Sequence, residues 1–116
     1  MFELKRSEIL KSKQDFNLVY KCGRSYANNA MVIYVIDDER VNGKVGFAAG
    51  KKLGCAVVRN RVKRLLRESY RLNKNILRKD RAIILVGRKA LVDAKCDAAQ
   101  KAFLNLCGKA KIIVEE

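Results

Sequence analysis

The chain has 116 residues, with 26 Lys and Arg against 12 Asp and Glu, no His and a formal net charge of +14 at pH 7. This length suits one domain with one core, and the charge favours nucleic acid as a partner over an acidic small molecule or an acidic protein. Because no apolar stretch approaches twenty residues and no signal-type segment follows the N-terminus, we expect no membrane span, no secretion and a cytoplasmic location.

The N-terminal part of the chain predicts a helix. Ser12 and Asp15 have the S-x-x-D spacing of a capping box, in which side chains hold backbone N–H groups of the first turn. Apolar residues then recur at helical spacing until Gly23 interrupts the pattern. We therefore expect a helix over residues 12–22.

Three strands are expected next. The strand signal over 24–27 is weak, whereas 30–36 is rich in β-branched residues and 44–50 is largely apolar. The polar segment 37–43 lies between the last two and contains turn-forming residues. The sequence therefore predicts a hairpin of these two strands, joined by a long loop.

A basic helix is predicted from Lys51 onward. Seven of the seventeen residues 51–67 are Lys or Arg, and Glu68 is the only acid between 51 and 71. At about 100° per residue, one stripe of this helix packs against the protein: Val58, Val62, Leu65, Leu66, Ser69 and Leu72. Arg59 and Arg61 lie on either flank of this apolar stripe. The opposite stripe is polar and basic and consists of Asn60, Lys63, Arg64, Arg67 and Arg71. An ordinary solvated face would mix both signs of charge, so we expect this stripe to contact a polyanion.

The last third of the chain predicts a buried strand and a final helix. Residues 81–87 are mostly apolar between charged neighbours. Asp93 can cap a helix that ends at Cys107 and Gly108, with one face formed by Cys96, Ala99, Phe103 and Leu106. We expect one domain over 1–116 with a loose tail at about 109–116. The element order α-β-β-β-α-β-α predicts an α/β (α+β) sandwich with a four-stranded sheet.

The cysteines argue against metal or nucleophilic chemistry in the protein. Cys22, Cys55, Cys96 and Cys107 include no C-x-x-C pair, and the chain has no His to complete a zinc site or to activate a thiol. In a reducing compartment, we expect four small thiols that are buried or half-buried.

Residues 51–67 resemble the signature of the bacterial ribonuclease P protein subunit, K-K-L-G-x-A-V-x-R-N-R-x-K-R-x-x-R. The resemblance covers the order of elements over 12–108, the first-helix segments 14–16 and 20–23, and the aromatic strand segment 33–35. Gly50 departs from the pattern because the family often carries Ser there.

The resemblance implies the small cofactor of a catalytic RNA that removes the 5′ leader from precursor tRNA. It also implies a rare left-handed βαβ crossover in the fold. The holoenzyme would be an endoribonuclease that requires Mg²⁺, with catalysis carried by the RNA and no catalytic residue, metal or other cofactor held by the protein alone. The implied partners are the catalytic RNA and precursor tRNA, with no DNA and no membrane.

The resemblance also assigns the two RNA-binding surfaces. The residues expected to contact the catalytic RNA and its phosphates are Lys51, Lys52, Arg59, Asn60, Arg61, Lys63, Arg64, Arg67 and Arg71. The single-stranded leader would lie in a cleft between the first helix and the sheet, lined by Phe16, Tyr20 and Tyr34. Without the resemblance, ordinary core packing would be the simpler interpretation of these aromatic residues.

Two other functions remain open at this point. A non-catalytic, basic RNA-binding protein of the ribosomal type would have the same composition and the same arginine-rich helix. A metal nuclease would need Asp37, Asp38 and Glu39 as a carboxylate cluster for Mg²⁺. Consecutive side chains in an extended loop point apart, which argues against that cluster.

Overall fold

A computed structural model describes residues 6–113 and contains the predicted order of elements. The helices and strands are α1 (Lys13–Cys22), β1 (Arg24–Ala27), β2 (Met31–Ile36), β3 (Val45–Ala49), α2 (Ala56–Asn73), β4 (Ala82–Gly87) and α3 (Cys96–Ala110). The predicted α+β class with a four-stranded sheet is confirmed. No helix within 6–113 is both long and apolar enough for a membrane span.

The four strands form one mixed sheet in the order β1-β2-β4-β3. β2 pairs antiparallel with β1 and with β4, whereas β3 pairs in parallel with β4. The predicted hairpin of the second and third strands is therefore wrong, because β4 lies between them. β4 is buried at all but one position, and a strand covered on both faces takes the centre of a sheet because its apolar side chains are then removed from water.

The connection from β3 through α2 to β4 joins two parallel neighbours. Parallel strands need such a crossover because a tight turn can join only antiparallel ones. The left-handedness of this crossover stays a prediction from the family resemblance.

Helices cover both faces of the sheet. On one face, α2 and α3 contribute Leu66 and Phe103 to a core that includes Met31, Ile33 and Leu85 of the central strands. On the other face, α1 packs Val19 against Ile84 in a smaller cluster. The molecule therefore has three layers, with α1 alone on one side.

α1 crosses the strands at an angle that is set by close contacts. The predicted cap is present, since the Asp15 N–H donates a hydrogen bond to the Ser12 hydroxyl at 3.0 Å. Near its start, the Phe16 ring lies over Gly46 of β3, where a Cβ would come within 2.7 Å of the ring. At its end, the backbone of Gly23 lies against the Val35 carbonyl of β2. α1 therefore runs from the β3 edge towards β1.

The boundaries of α3 differ from the prediction. Lys95 occupies the N-cap position, so Asp93 does not cap this helix. The chain first completes a turn in which the Ala94 N–H donates to the Leu91 carbonyl at 3.2 Å. α3 then continues to Ala110, beyond the predicted end at Cys107.

The predicted loose tail is wrong for residues 109–113. Ile112 is buried in the core, and its carbonyl accepts a hydrogen bond from the Arg78 N–H at 2.7 Å. Ile113 forms an isolated bridge with Leu77. Lys111 has φ +57°, a left-handed helix end that returns the chain to the core. The rest of the predicted tail, 114–116, lies outside the described residues.

Candidate nucleic-acid interface

The basic segment divides at Gly54. Lys51–Leu53 forms a separate 3-10 turn and α2 begins only at Ala56, so the prediction of one helix from Lys51 is wrong. Gly54 has φ +141°, which L side chains rarely adopt, and a Cβ there would lie 3.3 Å from the Cβ of Val58. Lys51 and Lys52 are therefore presented by an exposed turn that precedes the helix.

α2 has the two stripes that its sequence predicts. On the packing stripe, Val62, Leu66 and Ser69 are buried, and the Ser69 hydroxyl donates to the Leu65 carbonyl at 2.8 Å. That bond satisfies the one buried polar side chain of the stripe. Leu72 is an exception because it is 38% exposed. The opposite stripe and its flank present five exposed polar side chains: Asn60, Lys63, Arg64 and Arg67 on the stripe and Arg61 on the flank.

Two arginines of the predicted set differ from these five. Arg71 is half-buried and forms an ion pair with Glu68 at 2.8 Å, so its charge is partly neutralised within the helix. Arg59 is also half-buried, and its buried Nε has no hydrogen-bond partner among the described residues. A buried donor without a partner costs about 1–3 kcal/mol, and this shielded atom is closed to an external ligand while Arg59 keeps its conformation.

The cysteines only partly agree with the expectation of buried thiols. Cys107 is buried and Cys96 half-buried, but Cys22 and Cys55 are exposed. At the N-cap of α2, the N–H groups of Val58 and Val57 lower the pKa of the Cys55 thiol below its ordinary value. The N-terminus of α2 therefore favours negative charge beside Lys51 and Lys52.

The three predicted cleft aromatics lie side by side. The Phe16 and Tyr20 ring centroids are 6.2 Å apart on α1, and Tyr20 meets Tyr34 of β2 edge-on at 4.9 Å. Tyr20 is 38% exposed, and the other two are half-buried. Partial burial raises the pKa of Tyr20, with a smaller contribution from Tyr34, so its hydroxyl is neutral at pH 7. We name these three residues the aromatic row; their contact with RNA stays a prediction.

A groove of about 340 Å³ connects the aromatic row with α2. Its lining combines Phe16 of α1, the apolar residues Ile9, Leu10 and Phe47, and a polar, basic set from α2: Asn60, Lys63, Arg64 and Arg67. α1 and α2 cover opposite faces of the sheet, so they meet only across the edge strand β3. An aromatic surface beside a line of cations is the arrangement that holds single-stranded nucleic acid.

Sequence reasoning missed the apolar part of this groove. Ile9 pairs with Val45 in an isolated bridge, and the Leu10 N–H donates to the Val45 carbonyl at 2.9 Å, so the segment before α1 attaches to β3. No local pattern predicts such an isolated bridge. Phe47 had a usable signal, because alternation along β3 places it on the same face as Val45, towards α2.

The acidic loop does not form a metal centre. A hydrogen bond from the Arg40 guanidinium holds the pKa of Asp38 down to about 2. Asp37 accepts a hydrogen bond from the Asn42 side chain at 3.0 Å and pairs with Arg81 at 3.3 Å. Within residues 6–113, no three His, Cys, Asp or Glu side chains are grouped so that they could hold a metal ion. The metal-nuclease alternative therefore lacks the carboxylate cluster that it needs.

Comparisons with known proteins match nearly the whole chain. A family profile described as Ribonuclease P matches residues 4–111. The chain is 39% identical over 104 residues to the "Ribonuclease P protein component" of Alkaliphilus metalliredigens, which covers 90% of this chain and 94% of that protein. The RNase P protein of Staphylococcus aureus has a TM-score of 0.81 at 30% identity, with 92% of this chain and 98% of the other covered. The RNase P protein of Thermotoga maritima has a TM-score of 0.77 at 28% identity, with 94% and 99% covered.

Proposed function

The chain belongs to the ribonuclease P protein family, and from this premise we propose that it is the protein subunit of a bacterial ribonuclease P. In this role it binds the catalytic RNA and the single-stranded 5′ leader of precursor tRNA, and it assists removal of the leader. The observation that carries the proposal is the groove, because Phe16, Lys63, Arg64 and Arg67 all line it. A single RNA strand bound there would contact the aromatic ring and the cations together.

The aromatic row is proposed as the leader site. Single-stranded RNA exposes its bases, and stacking of a base on an aromatic ring is worth about 1–3 kcal/mol. Tyr20 and Tyr34 meet edge-on, so each ring keeps a face that its neighbour does not cover. Phe16 ends the row beside the cations of α2, where the phosphates of the same strand would lie.

The Lys51 turn and the first turns of α2 are proposed as the contact with the catalytic RNA. Lys51, Lys52 and Arg61 are exposed there, and Arg59 is half-buried. Proteins recognise folded RNA mainly by its phosphates and its shape. Forked guanidinium groups and a helix N-terminus are suited to binding phosphates.

The chemistry is proposed to belong to the RNA. The protein has no His, and its loop acids Asp37 and Asp38 are held by Arg81 and Arg40. We assign no catalytic residue and no metal ligand to the protein; Mg²⁺ would be held by the RNA in the holoenzyme. The subunit would neutralise phosphate charge and position the leader in the cytoplasm, with no role in binding DNA or membranes.

A cleavage assay tests this function. Precursor tRNA is incubated at low Mg²⁺ with the protein alone, with a bacterial ribonuclease P RNA alone, and with both. We expect leader removal to be stimulated only when both are present. Cleavage by the protein alone would show a nuclease. No stimulation, with RNA binding retained, would favour the non-catalytic ribosomal-type protein.

A matched pair of variants connects the assay to the groove. Lys63 and Lys101 are both exposed lysines on helices, but only Lys63 lines the groove. Lys63→Ala should reduce the stimulation, and Lys101→Ala should leave it unchanged. Equal effects of the two substitutions would mean that overall charge, and not the groove, produces the stimulation.

A further inference from the structure

A second pocket lies at the end of the sheet where β3 and β4 begin, opposite the end that leads into the Lys51 turn. It has a volume of about 370 Å³, within the usual range for sites that hold a small organic ligand. Leu77, Ile83 and Ile112 supply apolar side chains, and Tyr70 lies beside them near the end of α2. This pocket shares no residue with the groove.

The rim of the pocket is strongly basic. Its five cations are Lys44, Lys74, Arg78, Lys79 and Arg81. Acids partner three of them: Glu8 pairs with Lys74 at 2.9 Å, Asp80 pairs with Arg78 and Arg81, and Asp37 also pairs with Arg81. Lys44 and Lys79 form no ion pair with any residue in 6–113. Among residues 6–113, five cations against three acids leave the site positive, which favours an anionic ligand.

Tyr70 gives the pocket a rigid aromatic wall. Its ring packs edge-on against Phe47 at 6.2 Å and against Phe103 at 6.4 Å, so the core already holds its orientation. Burial, with a smaller effect of Glu8, raises the pKa of Tyr70 to about 12, so the hydroxyl is a neutral hydrogen-bond donor at pH 7. A base that enters the pocket would therefore contact the fixed Tyr70 ring, the apolar side chains and one hydrogen-bond donor, the Tyr70 hydroxyl.

The basic rim continues into an adjoining pocket of about 490 Å³. Arg78 and Arg81 line both pockets, and the second adds Arg24, Lys111 and a further tyrosine, Tyr26. Cations that extend over two adjoining pockets match a chain of phosphates better than a single phosphate group. Charge complementarity therefore favours an oligonucleotide over a free nucleotide.

We propose that this end of the sheet is a second binding site for single-stranded RNA, with one base in the pocket beside Tyr70 and the adjoining phosphates along Lys44, Lys79 and Arg24. The proposal rests on the proposed function only in taking RNA as the partner. It concerns a surface separate from both the aromatic row and the basic face of α2. A strand bound there would give the protein two separate RNA contacts near the start of β3, since Glu8 lines this pocket and Ile9 lines the groove.

The test follows backbone amide resonances of the full-length ¹⁵N-labelled protein during titration with a five-nucleotide oligoadenylate RNA. We expect shifts around Phe16 and, separately, around Tyr70. The variant Lys44→Ala plus Lys79→Ala should abolish the shifts around Tyr70 and keep those around Phe16. Lys63→Ala plus Arg64→Ala should have the opposite effect, and Lys101→Ala should affect neither. Because each site is read separately, failure of the leader site and failure of this site are distinguishable.

Tyr70→Phe keeps the packed ring and therefore should keep the melting temperature. We expect it to weaken oligoadenylate binding at this site about two- to fivefold, because one hydrogen-bond donor is lost. A third arm replaces the RNA with adenosine 5′-monophosphate, which should bind at least tenfold more weakly. No shift around Tyr70, shifts that persist in the Lys44 and Lys79 variant, or monophosphate binding as tight as that of the RNA would each overturn the proposal.

Discussion

Arg59 and Arg61 lie two residues apart in the first turns of α2, yet their surroundings differ. Arg61 is exposed, whereas Arg59 is half-buried and its Nε is shielded from solvent without a partner among the described residues. A guanidinium is a planar fork that can hold a phosphate through two hydrogen bonds, and the lysine ammonium is a point charge that cannot. The two arginines are therefore expected to orient the RNA as well as attract it.

Replacing both with lysine separates orientation from charge. We expect Arg59→Lys plus Arg61→Lys to lower precursor tRNA cleavage at limiting Mg²⁺ about tenfold, which corresponds to about 1.4 kcal/mol in the barrier. Affinity for bulk RNA should change less, because the charge is kept. Added Mg²⁺ should partly restore the rate by neutralising phosphate. If the double lysine variant cleaves at the same rate as the parent at every Mg²⁺ concentration, these arginines contribute only their charge and do not orient the RNA.

Gly46 and Gly50 form a matched pair of glycines at the two ends of β3. A Cβ at Gly46 would come within 2.7 Å of the Phe16 ring, whereas a Cβ at Gly50 would meet no atom within 4 Å. We expect Gly46→Ala to destabilise the fold by about 1–3 kcal/mol, the usual cost of overpacking, and to displace Phe16 from the groove. Urea unfolding should show this loss, with Gly50→Ala close to the parent. Equal stability of the two variants would mean that Phe16 moves aside without cost.

At the scale of the element, α2 joins a packing stripe and an exposed basic stripe in one helix. Val62 and Leu66 attach it to the sheet, while Lys63, Arg64 and Arg67 point into the groove on the other side. Because the two sets lie on opposite stripes, a basic residue can be removed without loss of core packing. This separation makes the charge on α2 accessible to experiment.

The salt dependence of RNA binding measures how many phosphates α2 contacts. If Lys63, Arg64 and Arg67 each contact one phosphate, each alanine substitution should flatten the log-log slope of affinity against salt by about 0.7–0.9. The melting temperature should stay the same, and Lys101→Ala on α3 should leave the slope unchanged. Weaker binding at an unchanged slope would show that these residues act through structure.

The aromatic row can be tested against a control of equal exposure. Tyr20 and Leu72 are both 38% exposed on helices, but Leu72 lies outside the row and the groove. We expect Tyr34→Ala, and to a lesser degree Phe16→Ala and Tyr20→Ala, to weaken holoenzyme binding of precursor tRNA by about 1–3 kcal/mol each. Binding of mature tRNA, which lacks the leader, should barely change, and Leu72→Ala should match the parent. If the affinity and the melting temperature fall together, these aromatic residues act through core packing and not through contact with the leader.

At the scale of the whole molecule, buried apolar side chains attach the helices to both faces of the sheet. The larger of these cores also keeps two titratable groups in the neutral form. Cys107 is fully buried, and burial raises its pKa from 9.0 to about 12. The pKa of Tyr70 is likewise raised from 10.0 to about 12. Both groups ionise more readily in the unfolded chain than in the fold. Their contribution to stability is therefore complete below pH 9 and is lost as the pH rises towards 12.

We therefore expect the free energy of unfolding to fall between pH 9 and pH 11, by at most about 1.4 kcal/mol per pH unit for each group. Urea unfolding under reducing conditions measures this slope. Cys107→Ala should make the slope shallower from pH 9 upward, and Tyr70→Phe should do so from pH 10. A Cys107→Ala slope equal to that of the parent would show that this thiol ionises as easily in the fold.

Local pattern determined most of the elements and the class of partner. The order of helices and strands, the Ser12 cap and the two stripes of α2 all follow from periodicity and from residues close together in the chain. The family followed from the short motif at 51–67, which the family comparisons confirm. Periodicity predicts the stripes well because the geometry of a helix depends only on neighbouring residues.

Tertiary structure alone decided which elements meet. β4 entered between β2 and β3 because its apolar residues are buried on both sides only at the centre of the sheet, and that gain depends on residues far apart in sequence. The same long-range packing brought Phe16 to the cations of α2 and returned Ile112 to the core. It also assembled the pocket beside Tyr70 from segments that no local pattern connects. Apolar side chains that are far apart in the sequence are buried against one another, so the groove and the pocket exist only in the folded molecule.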